Sequence, residues 1–215
     1  MTARDFSTAL PSGTTLIRNE PVQARSTARL TALLDAAATV IDKIGYERLT
    51  TAMVADGAGA SIGTVYRYFP DRIAVLQALS VRNFERLHER LVSTLNEGQF
   101  SNWHEALMAL FDVFIEAFRT EPGFRSLRVG DVLDLRPPAE EETGYGRLAE
   151  LMIEELARRF EITVTDEAHF AYSASMHVTD ALVARAFARD PKGDQRYLDL
   201  GREGIAALLE PHFGR

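Results

Sequence analysis

The sequence has no cysteine and only one tryptophan in 215 residues. Without thiols there are no disulfides and no thiolate-held metal centre, which fits a reducing, cytoplasmic setting. No apolar run approaches the ~20 residues that a membrane-spanning helix requires. No basic start is followed by an apolar stretch, so no secretory leader is expected. The five histidines lack metal-ligand spacing, and His104-Glu105 is not followed by the second His that a zinc-binding helix needs. DEAH at 166–169 shares its letters with a helicase motif, but no G-x-x-x-x-G-K-[ST] phosphate loop accompanies it. GAGASIG at 57–63 places its third glycine one residue late for a dinucleotide loop, and no strand precedes it. No Ser/His/Asp set stands out. The sequence therefore predicts no catalytic residue, no metal and no cofactor, and it shows no internal repeat.

Charge is ordinary in amount and uneven in placement. The net charge is −7, which by itself argues against a nucleic-acid partner. Residues 1–80, however, carry 8 Lys and Arg against 7 Asp and Glu, while residues 81–215 carry 16 against 24. A near-neutral amino-terminal part on an acidic body leaves room for a local DNA-contacting face.

The periodicity is helical throughout, giving an all-α chain of about nine helices. Residues 1–24 carry Pro11, Gly13 and Pro21 with no sustained period and read as a flexible arm. From Arg25 to Ile44, Leu30, Leu33, Leu34, Ala37, Ala38, Ile41 and Ile44 recur at three- and four-residue steps, and Gly45 sits where a left-handed residue ends a helix. Thr50 and Thr51 offer caps for a short helix through about Ala58, Gly59 breaks it, and Ser61 caps a second short helix that Pro70 ends near Phe69. Asp71 is the expected cap of a long helix to about Leu95. Further helices are expected at 102–120, 123–135, 145–160, 166–189 and 194–213, with a loop at 136–144. The expected domains are 25–75 and 76–215, after the arm.

On a helical wheel, SIGTVYRYF (61–69) divides in two. Val65 and Phe69 share one side; Gly63, Thr64 and Arg67 lie opposite; Tyr66 and Tyr68 flank them. Two short helices joined by a glycine-containing turn describe a helix-turn-helix, whose second helix enters the major groove. Gly63 allows close backbone approach. Thr64 and Arg67 suit base edges or phosphates, the tyrosine hydroxyls suit phosphates or packing, and Arg72 adds a phosphate contact.

LTTAMVADGAGASIGTVYRYFPDRIAVL (49–76) resembles the DNA-binding signature of TetR-family transcriptional regulators. Thr50, Thr51, Ala55, Ala58, Gly59, Ser61, Gly63, Thr64, Tyr66, Tyr68 and Phe69 match it. Ala60 stands for the usual Val, Arg72 for the usual Lys, and Gly57 sits inside the first short helix at up to ~1 kcal/mol of helix preference. The resemblance implies a three-helix DNA-binding domain followed by a helical ligand-binding and dimerisation bundle. The candidate DNA-binding residues are Thr50, Thr51, Ser61, Ile62, Gly63, Thr64, Tyr66, Arg67, Tyr68 and Arg72. The implied protein is a cytoplasmic homodimeric repressor, released from a palindromic operator by a small molecule. An all-α enzyme, or a helical interaction module with a vestigial helix-turn-helix, is the alternative.

In the carboxy-terminal body, HFAYSASMHVT (169–179) has no Asp, Glu, Lys or Arg. A helix apolar or small all round is buried all round. One side is expected to pack on its own domain and the other on a partner subunit, a plain monomer core being the alternative. The candidate dimer residues are Tyr172, Ser175, Thr179, Leu182, Gly201, Gly204, Ile205 and Leu208. The resemblance likewise places the last two helices in a four-helix dimer interface. The candidate ligand residues are Trp103, Leu107, Phe111, Phe114, Phe118, Met152, Phe170, Ala174 and His177, each of which also suits a simple core. His177 on a buried helix would need a partner, such as Asp180 or the ligand. The 123–135 segment, with Gly130, is the expected transmitter between ligand and DNA.

Overall fold

Local capping chemistry sets where the helices of this chain begin. In the computed structural model, which describes residues 24–127 and 144–214, there are eight α-helices and, among the described residues, no strand. Helix α1 (Ala24–Ile44) ends at Gly45, whose φ of 83° lies in the region that favours glycine. A short 3-10 turn (Tyr46–Arg48) leads to Thr50, whose hydroxyl accepts a hydrogen bond from Met53 N and opens α2 (Thr51–Gly57). Ser61 does the same for α3 (Ile62–Tyr68), accepting from Thr64 N at 3.2 Å. Asp71 accepts from Ala74 N at 2.9 Å and opens the long α4 (Arg72–Glu97). Asn102, Thr165 and Asp194 cap α5 (Trp103–Thr120), α7 (Asp166–Phe187) and α8 (Gln195–Phe213) in the same way. Helix α6 spans Gly144–Phe160.

The described residues form two compact units, 24–85 with 121–127, and 86–120 with 144–214. In the first, Leu33, Ala37 and Ile41 of α1, Val54 of α2, Val65 and Tyr68 of α3, Phe69 beyond it, and Val75 and Leu79 of α4 make one buried core. Gly57 has a packing reason. A Cβ there would lie 3.1 Å from Ala36 Cβ, so the glycine lets α2 approach α1 closely. Arg82 and Asp35, paired at 2.7 Å, tie α4 to α1. Residues 122–126 form a turn rather than the start of the expected helix, and Leu127 joins the core. The rest of that expected helix, including Gly130, lies outside the described residues, as do the arm at 1–23 and the loop at 136–143.

In the second unit α5 turns Leu107, Phe111, Phe114 and Phe118 inward, and Phe118 meets Phe114 edge-on and packs at a tilt against Phe187 of α7. Trp103 meets the ring of Phe213 edge-on at 5.3 Å and donates from Nε1 to Gly214 O at 2.9 Å. Helix α7 runs along α8. Gly201 is a second close-approach glycine: a Cβ there would stand 2.9 Å from the Phe111 ring. Among the described residues no helix is long and apolar enough to cross a membrane.

Phe69 is fully buried, whereas Ser61 contributes one capping bond on the surface. Phe69→Ala is therefore expected to lower unfolding free energy by ~3–5 kcal/mol, and Ser61→Ala by ~1 kcal/mol. Urea unfolding followed by far-ultraviolet circular dichroism measures both.

Candidate functional site

Seven residues are too few for a helix to persist alone in water. Helix α3 is held by burying Val65 and Tyr68, with Phe69 directly after it. The opposite arc is left outside. Ser61, Ile62, Gly63 and Arg67 are exposed, Tyr66 is 46% exposed, and Thr64 is half-buried. Gly63 meets nothing of its own subunit closer than Ser61 Oγ at 3.8 Å, so no internal contact explains the missing side chain. Ser61 Oγ and Thr64 Oγ1 share a 2.9 Å hydrogen bond. Thr51 Oγ1 donates to the Tyr66 hydroxyl at 3.4 Å, joining the start of α2 to the same surface. Helix α3 contains no acidic residue, and its Arg67 guanidinium lies 5.1 Å from the Tyr68 ring centroid. Thr50 is exposed beside its cap, and Arg72 donates to Glu47 O at 2.6 Å, fixing the start of α4 to the 3-10 turn.

One residue of this set lies elsewhere than the wheel put it. Tyr68 is 2% exposed, and its hydroxyl bonds Ser26 Oγ of α1 at 2.9 Å. Its packing alternative is the one realised. The last turn of so short a helix leans into the core, and Ser26 supplies the partner that a buried phenol needs.

The second unit holds a small, partly open cavity of about 40 Å³. Leu87 and Leu91 of α4, Leu107, Leu110, Phe111 and Phe114 of α5, and Met152 of α6 form most of its wall. Tyr172, Met176 and Thr179 of α7 and Ile205 of α8 close it. The lining contains no Asp, Glu, Lys, Arg or His. Burial pushes the Tyr172 phenol far above its usual range, so it stays neutral. A wider depression of about 620 Å³ in the first unit, beside Lys43, Glu47, Arg48 and Arg125, is open and polar.

Of the expected ligand residues, Leu107, Phe111, Phe114 and Met152 line this cavity. Trp103 and Phe118 are buried away from it, against Phe213 and Phe187. The face expected for α7 is corrected. Phe170 is 76% exposed, His177 is exposed and Ala174 half-buried, so none of the three joins the cavity. Tyr172, Ser175 and Thr179, expected to face a partner subunit, are buried within their own unit, and Leu182 is half-buried. On α8, Gly201 and Ile205 also face inward, whereas Gly204 meets nothing within 4 Å and Leu208 is exposed. The reason is that small and apolar residues surround α7 on every side, so period could not tell the inner arc from the outer. Sequence reasoning also missed Leu87, Leu91, Leu110 and Met176. The i, i+4 spacing of the two α4 leucines was the available signal.

Comparison with known proteins gives the family. The profile described as "Tetracyclin repressor-like, C-terminal domain" matches residues 101–213, and that of "Bacterial regulatory proteins, tetR family" matches 33–79. The chain belongs to the TetR family. It is thus a DNA-binding transcriptional regulator. The crystal structure of a TetR-family regulator from Streptomyces coelicolor is 33% identical, with a TM-score of 0.73 over 87% of this chain and 98% of that one. The HTH-type transcriptional repressor KstR of Rhodococcus jostii is 40% identical over 58 residues, 27% of each chain. The nucleoid occlusion factor SlmA of Haemophilus ducreyi is 33% identical over 91 residues, 41% of this chain and 43% of its own. The match thus spans about a quarter of one of these curated relatives and under half of the other.

The Tyr68–Ser26 contact has a measurable worth. Tyr68→Phe and Ser26→Ala are each expected to lower stability by ~0.5–1.5 kcal/mol. Because they share one bond, the double variant should lose clearly less than the sum of the two. Additive losses in chemical denaturation would show that the Ser26 hydroxyl is not the partner of Tyr68, whose hydroxyl also reaches Ser26 O at 3.4 Å.

Proposed function

We propose that this TetR-family regulator is a homodimeric repressor that leaves a pseudo-palindromic operator when a small molecule occupies the cavity walled by α4 to α8. The domains are then 25–75 for DNA binding and 76–215 for ligand binding and dimerisation, and the setting is the cytoplasm. The single observation that carries the reading is the division of α3. Its apolar side is locked into a core, and its outer arc offers Gly63, Thr64, Tyr66 and Arg67 with no acid among them. Such an arc suits the major groove: glycine admits the backbone, hydroxyls bond phosphates, and a guanidinium fits guanine O6 and N7. Arg72 and the Thr50 and Thr51 hydroxyls suit phosphates on either flank.

The outer faces of α7 and α8 support the dimer. Phe170 and Val178 on one helix, and Leu200 and Leu208 on the other, are four of the nine large apolar side chains left exposed in the described chain. Gly204 lies on the same arc of α8, with open space where a Cβ would be. A twofold axis through this surface would set two α3 helices ~34 Å apart, one turn of duplex.

Release follows from the size of the cavity. At about 40 Å³ it is far below the ~300–1,000 Å³ of an occupied small-molecule site, so a ligand must part its walls. Leu87 and Leu91 belong to α4, the helix that begins at Arg72 directly after α3. A ligand that displaces this helix favours one position of it over another. A coupling of ~1–3 kcal/mol suffices for a useful switch.

Gel shift against DNA upstream of the protein's own gene tests DNA binding. Saturable, sequence-selective binding with a steep salt dependence is expected, and its absence would favour an enzyme or interaction module. Arg67→Ala should weaken specific binding by ~1–3 kcal/mol, while Tyr68→Phe should leave it unchanged. Sedimentation tests assembly: Phe170→Glu with Leu208→Glu is expected to convert dimer to folded monomer, and a dimer that survives both changes would move the interface elsewhere.

A further inference from the structure

The cavity carries a chemical signature of what it takes. Thr179 is 4% exposed and lines the cavity, and its Oγ1 has no hydrogen-bond partner among the described residues. Ser175, one turn earlier, shows the ordinary arrangement: its hydroxyl donates to Tyr172 O at 2.7 Å. A buried hydroxyl left unbonded costs stability, and a fold with no use for it would carry valine there. No ionisable side chain except the neutral Tyr172 phenol reaches the cavity, so a charged ligand would be buried without a counter-ion.

The wall also differs in stiffness from side to side. The Phe111 ring is held where the missing Cβ of Gly201 would otherwise strike it, and Arg202, paired with Asp112 at 2.5 Å, lies over its face. Met152 and Met176 are unbranched thioethers with several rotatable bonds, the side chains best able to make room. Met176 stands between Tyr172 and Thr179 on the same arc of α7, so widening there brings the Thr179 hydroxyl within reach of an occupant.

We propose that the effector is an uncharged, largely apolar molecule bearing one hydrogen-bonding oxygen, and that Thr179 recognises that oxygen while Met152 and Met176 give way to admit it. This rests on the cavity being the effector site, and the test separates the two claims. The probes are 4-propylphenol, propylbenzene and 4-propylbenzoate. The full chain, with its methionine methyl groups carbon-13 labelled, is titrated with each in the wild type, Thr179→Val and Thr179→Ser. The phenol should move the Met152 and Met176 resonances. Thr179→Val should weaken the phenol about tenfold and leave propylbenzene within about twofold, Thr179→Ser should retain the phenol, and the benzoate should not bind. Equal phenol affinity in wild type and Thr179→Val, or preference for the benzoate, would overturn the recognition role of Thr179 and leave the cavity as the site. Failure of all three probes to move those resonances would overturn both claims. A ligand-free measurement adds an independent arm. Thr179→Val should melt at or above the wild-type temperature because it deletes an unbonded hydroxyl. A fall of several degrees would mean that the hydroxyl was already bonded within the fold, and the proposal would fail.

Discussion

The burial of Val65, Tyr68 and Phe69 is the constraint on which the exposed arc of α3 depends. Helix α3 has two turns and cannot form for its own sake, so its shape is borrowed from the core of α1, α2 and α4. Because these three side chains fix the rotation of the helix, they also decide which residues remain outside. The outer arc contributes to stability only through a cap and surface hydrogen bonds, so its remaining positions are free to be chosen for what they touch. That accounts for a glycine with no internal neighbour in a helix that otherwise needs every favourable residue it can have.

The same logic of close approach recurs at Gly57 and Gly201, where a missing side chain admits a neighbour. At Gly57 a weak helix former is tolerated because α2 lies directly on Ala36. At Gly201 the gap holds the Phe111 ring, and with it one wall of the cavity. One side of the cavity is set by this close contact, and the other carries Met152 and Met176, whose unbranched side chains repack readily.

Much of this was legible in the residues. The caps at Thr50, Ser61 and Asp71, the stop at Gly45 and the two sides of α3 could be read because each depends on chemistry local to a few positions. Tyr68 was not legible, since its partner Ser26 is 42 residues away. Helix α7 resisted for a different reason. With Phe170, Tyr172, Ala174, Met176 and Val178 spread around its circumference, hydropathy gave no preferred side, and only the volume available beneath α5 and α8 settles that Tyr172 goes in and Phe170 stays out. The four-residue step from Leu87 to Leu91 was readable as a helix face but not as part of a cavity, because a cavity is defined by helices distant in sequence.

The lone indole has a practical bearing. Trp103 is packed on Phe213 and bonded to Gly214 O, so its emission reports on how the carboxy-terminal end of α8 is seated. Intrinsic tryptophan fluorescence thus reports on the unit that holds α5 to α8.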